Sequence, residues 1–413
     1  MRYMPLLLSA AIVAPAAHAD IQLNGFLSAV GGTATDEPIR NYEKDFTFTQ
    51  DSIFGLQARA DLSDKLSITG QLVSRGKDDF ATELAWGYLA YEASKNLTLR
   101  MGRFRTPFYF YSDFLEVGYA YPWVAPAHEV YEALQFDNIN GMDAIYNVTL
   151  FNTIEAQFQT YFGSMDDEFS LNKSGQVLDA QTRNNLGLSA TFGIGDFSLR
   201  ASAHSAKTTV HDFNDIVLDK ESQATLASFK LQLEQLGAAA PTLGVPALSQ
   251  ITQELITELD LNDTDTTFTQ IGLKYDGEYL FGVAEATNLD FKAGPAADQQ
   301  RYFVSTGVNI GSTVLFVSYS EADDEAVDLS EELTALNQNP ALAPTLTPVI
   351  DALDGISQAL TVTSKTTSVG IRYDFEPGAA LKLQFDNIDT PDATDPTKTN
   401  SQGLVRFGVD LVF

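Results

Sequence analysis

Apolar residues recur at every second position through most of this chain. That is the period of a β-strand, whose successive side chains point to opposite faces. In the last twelve residues Val405, Phe407, Val409, Leu411 and Phe413 hold one parity, and Arg406, Gly408 and Asp410 hold the other. The same alternation predicts strands over residues 21–30, 52–61, 66–74, 82–92, 97–104, 141–149, 153–163 and 182–192. It continues over 197–206, 267–275, 278–286, 301–310, 313–320, 364–375, 380–387 and 402–413, sixteen segments in all. Asp276-Gly277 and Gly311-Ser312 are strong hairpin signals between neighbouring segments.

The connections alternate in length. Every second one is a few residues of turn chemistry, whereas the others reach about sixty residues. Short turns at one end and long loops at the other are expected of a transmembrane barrel with both termini on the periplasmic side. Phe192, Phe197, Tyr275, Tyr279, Tyr373, Phe375 and Phe413 gather beside the short turns, as an interfacial aromatic girdle would. The two longest connections change period. Leu226, Phe229, Leu233 and Leu236, then Leu248, Ile251, Leu255 and Leu259, recur at helical spacing within 207–266. Leu329, Leu333 and Leu336, then residues 349–360, do so within 321–363. Each predicts a helical hairpin over the outer mouth.

The chain has 413 residues, no cysteine and a formal net charge of −30. Its acid excess excludes a nucleic-acid partner, which needs a basic footprint. Without cysteine there is neither a disulfide framework nor a thiolate metal site. Residues 1–19 read as a signal peptide, with Arg2, an apolar stretch over residues 6–13 and Ala17-His18-Ala19 as the cleavage site. The mature domain is then 20–413, in an exported protein. Beyond the leader no apolar run reaches the roughly 20 residues of a spanning helix, so a closed barrel is the remaining way to cross a membrane.

Taking the apolar parity as the lipid face puts Arg59, Arg100, Arg183, Arg200, Lys274, Arg301, Arg372, Lys382 and Arg406 on the other face. Glu83, Asp143, Glu155, Asp374, Asp386 and Asp410 share it. A Lys or Arg facing lipid costs about 2–4 kcal/mol near the midplane, so cations of one parity imply a wet interior. Sixteen strands enclose a lumen too wide for wall side chains alone to fill. Residues 105–140 interrupt the wall after the fifth strand. They are rich in aromatics and carry Asp113, Glu116, Glu129, Glu132 and Asp137. Such a loop left outside would be a liability; folded inward, its apolar side packs on the wall and its acids face the pore.

In strand count, loop order and terminal Phe, the whole mature chain resembles the general porins, outer-membrane channels of Gram-negative bacteria. The Pro-Glu-Phe-Gly-Gly-like stretch of that family's third loop is absent; Arg103-Phe-Arg-Thr-Pro107 and Tyr119-Ala-Tyr-Pro-Trp123 stand instead. The second loop, residues 75–81, is also short where general porins latch a neighbouring subunit. The resemblance implies an all-β transmembrane antiparallel barrel with an inward-folded third loop, passing small hydrophilic solutes by diffusion. It implies assembly machinery that reads the strand ending at Phe413, contact with outer-membrane lipid and lipopolysaccharide, and a homotrimer. It also implies loop acids facing wall arginines across a constriction, with Arg59 and Arg100 set against Asp113, Glu116 and some of Glu129, Glu132 and Asp137. No cofactor or metal is expected.

Four rival readings compete with a diffusion channel. A lipase-like barrel needs a histidine beside a serine on the lipid face, but His204 has lumen parity, and His128 and His211 lie in loops without an evident partner serine; no enzyme is expected. The acids Asp260, Asp263 and Asp265, or Asp323, Asp324 and Glu325, match no complete Ca²⁺ loop. A barrel selective for anions or carboxylates, or one plugged to serve as a binding or structural protein, stays open.

Overall fold

A computed structural model describes residues 21–132, 138–170, 177–211, 213–215, 217–219, 224–392 and 398–413. The leader and Asp137 lie outside them. Sixteen antiparallel strands form one closed barrel. They are β1 (Ile21–Ala34), β2 (Ile53–Ser63), β3 (Leu66–Arg75), β4 (Thr82–Glu92), β5 (Leu97–Arg105) and β6 (Asn138–Leu150). Next come β7 (Ile154–Ser170), β8 (Val177–Ile194), β9 (Phe197–Val210), β10 (Thr264–Asp276) and β11 (Leu280–Phe291). The wall ends with β12 (Asp298–Ile310), β13 (Thr313–Glu325), β14 (Thr363–Glu376), β15 (Ala379–Pro391) and β16 (Thr399–Val412). Every expected strand is present, and most extend further toward the long loops, because the wall continues past the apolar belt.

Closure is made by β1 on β16, from Phe26 opposite Val412 to Ala34 opposite Leu404. Phe413 adds a reciprocal backbone pair to Gly25, N···O 3.0 and 2.7 Å. With no free margin, each strand's N–H and C=O groups have a neighbour, which lipid would not supply. Among the described residues no helix is long and apolar enough to cross a membrane, so the strands do it. Their apolar parity is outward: Phe162, Leu188, Val304, Leu383 and Phe407 are all exposed on the barrel's outer surface. The short turns bend tightly, with Gly195, Gly311 and Gly378 at φ of +56°, +61° and +80°, where a Cβ would be strained.

At the long-loop end, α2 (Leu226–Ala239) and α3 (Ala247–Glu258) form one helical hairpin, and α4 (Glu331–Asn337) with α5 (Ala343–Ala359) forms another. Thr225 and Ser228 close a reciprocal capping box on α2, satisfying backbone donors at its first turn. A ribbon of Val217–Asp219 with Ala224–Thr225 precedes it. Leu233, Leu248, Leu333, Leu346 and Leu353 are buried in one apolar cluster that continues into the aromatics of the β5–β6 connection. That connection lies inside the barrel, held from both ends by the pairing of β5 with β6. It carries the short helix α1 (His128–Tyr131).

Candidate functional site

The inward loop is seated by the wall. Its backbone leaves the strand ladder, so its carbonyls need donors in a largely buried setting, and the wall cations provide them. Arg200 on β9 donates to the Pro107 carbonyl at 2.6 Å, and Ser202 to that of Phe108 at 3.0 Å. Arg301 on β12 donates to the Glu129 carbonyl at 3.0 Å and pairs with Asp324 at 3.2 Å. Arg372 on β14 reaches the Tyr119 and Tyr121 carbonyls at 2.7 and 3.0 Å, with Asp374 at 2.8 Å. Lys382 on β15 reaches those of Gly118 and Trp123 at 2.6 and 2.7 Å, while pairing with Asp410 at 2.7 Å.

Loop donors answer in the other direction. Val124 N–H donates to Gln384 at 2.8 Å, Trp123 Nε1 to Ser305 at 2.9 Å, and Phe110 N–H to Glu285 at 3.2 Å. Aromatic edges fill the space between, with Trp123 against Phe303 and Phe108 against Phe268, each 5.1 Å between centroids. Gly118 lies so close to the seam that a Cβ there would fall 2.4 Å from Asp410 and 2.5 Å from Ser28.

On the opposite side of the lumen the arginines likewise meet carboxylates. Arg59 meets Asp61 at 3.1 Å, and Arg100 holds Asp143 through two nitrogens at 2.5 and 3.0 Å. Arg75, at the end of β3, pairs with Glu83, and its Nε donates to Glu116 of the loop at 2.6 Å. Arg105 takes the second Glu116 oxygen at 2.7 Å. Burial pushes the Glu116 carboxyl up, but Arg105 and Arg75 outweigh it and hold it below the ordinary carboxylate range. Asp113 is exposed, and among the described residues no hydrogen bond or ion pair reaches it.

Several sequence-derived positions thus acquire different roles. Arg100, Arg200 and Arg406 point into the barrel; Arg406 is buried between Asp386 at 2.7 Å and Asp51 at 2.8 Å. Arg100 faces a carboxylate of the neighbouring strand, not one of the loop. Glu129 departs from the constriction altogether. It is buried, accepting from Ser320 and Thr366 at 2.6 Å each and pairing with Arg40 at 2.5 Å. Glu132 pairs with His128 one helical turn away at 2.9 Å. Asp137 lies outside the described residues.

Arg183 is a correction. It is exposed on the outward side, opposite Lys207, because β8 carries a bulge in which Asn184 and Asn185 together face one residue of β9. Asn184 takes φ +53°, and the extra residue inverts the parity above it, so Arg183 does not line the pore. Sequence reading missed Arg75, placed in the following loop although its odd parity matches the lumen residues of β3, and Arg105, whose signal was its position at the start of the insertion. Among the described residues no cluster of three His, Asp or Glu side chains is placed to hold a metal ion.

A sequence model of the Gram-negative porins matches residues 7–406. The chain belongs to that family. No curated relative matches. Among solved structures, Salmonella typhi OmpF in complex with daunomycin is 13% identical, with a TM-score of 0.54 over 96% of this chain and 98% of that one. The anion-selective porin of Comamonas acidovorans is 12% identical, with a TM-score of 0.53 over 96% and 100%. In-vitro folded Vibrio cholerae OmpT in a trimer form is 12% identical, with a TM-score of 0.52 over 95% and 99%. Identity this low establishes the shared barrel; the family match establishes what the barrel is for. This porin is an outer-membrane protein and a passive diffusion channel, its water-filled barrel narrowed by the loop between β5 and β6.

Proposed function

We propose that solutes cross between the tip of the inward loop and the wall of β1 to β5, and that this gap favours cations. The observation that carries the reading is the charge pairing. Arg59, Arg75, Arg100 and Arg105 each have a carboxylate partner, and Asp113 on the loop has none among the described residues. In a narrow, weakly screened passage an unpaired carboxylate sets the sign of the local potential. The wall cations of β9, β12, β14 and β15 are occupied in seating the loop, so the reading gives them no part in attracting anions. It also assigns no covalent chemistry: His204 is enclosed by Phe108, Phe268 and the Tyr161 hydroxyl at 2.8 Å.

Planar-bilayer reversal potentials in a salt gradient test this. Cation preference in the native protein, reduced in Asp113→Asn, is the expected result. An anion-preferring native channel, or a variant indistinguishable from it, overturns the assignment, and a silent bilayer would favour a plugged barrel.

The reading includes export through the leader 1–19, insertion of the barrel domain 20–413 by machinery that reads the strand ending at Phe413, and contact with lipopolysaccharide at the outer rim. It extends to a homotrimer, on the precedent of the trimer form of OmpT. Light scattering of the detergent-extracted protein tests that assembly, and a monomer mass would refute it.

A further inference from the structure

A cavity of about 560 Å³ lies beneath the loop tip, within the range of roughly 300–1,000 Å³ typical of small-molecule sites. Its wall side carries Asn24, Gln57 and Gln71 from three adjacent strands, and Trp86 from the fourth. Its loop side carries Asp113 and Phe114. All the wall positions share the lumen parity of their strands. Asn24 is exposed and Gln57 partly so, while Gln71 donates to Gln57 at 3.3 Å and extends the amides into a row.

We propose that this cavity is a transit site for neutral polyhydroxylated solutes of mono- or disaccharide size, an assignment that rests on the channel reading above. An amide offers both donor and acceptor, and so does a hydroxyl, so a row of amides can exchange hydrogen bonds with successive hydroxyls of a passing ring. The ring surfaces of Trp86 and Phe114 supply contact for the solute's C–H faces. Charge gives a solute anion no footing, because Arg105 is engaged by Glu116 and Asp113 repels it. The site remains weak because amide hydrogen bonds replace those to water at a small net gain, and weak binding is what passage requires.

Titrating maltose during single-channel recording tests the assignment, with a poly(ethylene glycol) of similar size as the control for excluded volume. The expected result is a saturable fall in ion current with maltose and a linear one with the polymer. In Gln57→Ala/Gln71→Ala the half-saturating concentration, read against that variant's own sugar-free current, should rise about tenfold, the loss of a pair of hydrogen bonds. If that variant fails to form channels, Gln57→Asn, which withdraws one amide by a methylene, should show a smaller rise. A linear maltose response in the native channel, or equal saturation in native and variant, overturns the site while leaving the channel intact. Absence of channel steps in the native protein overturns the channel and the site together.

Discussion

Arg75 and Glu116 join the wall to the inward loop: the guanidinium Nε at the end of β3 donates to the loop carboxylate at 2.6 Å, and Arg105 holds the other oxygen at 2.7 Å. One carboxylate thereby ties the loop tip both to its own root on β5 and to β3, two strands along the same side of the wall. Glu116→Gln keeps the shape but removes the charge, leaving Arg105 buried beside a neutral amide. Neutralising the carboxylate removes the charge that both guanidiniums share, so the tip should leave the wall. Single-channel conductance is expected to increase, with more frequent transitions between levels; native-like conductance and noise would remove the bridge from control of the aperture.

A second anchor lies at the barrel seam. The Lys382 ammonium is shared among two loop carbonyls and Asp410, each at 2.6–2.7 Å. Lys382→Met should lower stability by about 3–5 kcal/mol, because Asp410 would remain buried without its cation. Adding Asp410→Asn should recover part of that loss, since the stranded charge is removed as well. Urea unfolding followed by tryptophan fluorescence checks both steps, and a double variant no more stable than the single one would contradict the pairing.

Acid should unseat the loop through Glu129. Burial raises its carboxyl, but Arg40, His128 and the hydroxyls of Ser320 and Thr366 more than offset this and bring it down to about 2. A folded value below the unfolded one means that the group stabilises the fold above the ordinary carboxylate range. That contribution, about 3 kcal/mol, is lost as pH falls from about 4 toward 2. Current noise should therefore rise below pH 4 in the native channel. In Glu129→Gln, which has no proton to gain, the noise should be high already at neutral pH and should change less on acidification.

The alternation of apolar residues made the wall legible because one parity must meet lipid; a single misplaced residue would put charge there. The helical period exposed the two capping hairpins for the same reason, each having one face to bury. The partners of the charges were far less legible. Lys382 and Arg372 were readable as inward cations, but their contacts with the Gly118, Tyr119 and Tyr121 carbonyls depend on how an irregular loop runs, and no periodicity encodes that path. Arg183 failed for a sharper reason. Parity propagates only through an unbroken ladder, and Asn184 inserts one residue without any break in the alternating pattern.

The bulge supplies the last expectation. The chain contains no cysteine, so a single introduced thiol is the only one a reagent can find. Arg183→Cys places it on the outward side at the upper rim, above the inverted register. Asn24→Cys places it inside, at the cavity beneath the loop tip. A charged methanethiosulfonate added during recording should lower the current through the second variant by adding bulk within the passage. It should leave the first unchanged even after mass spectrometry shows modification. A current block at residue 183 would mean that the ladder continues through Asn184 without inverting, and that its guanidinium belongs to the lumen after all.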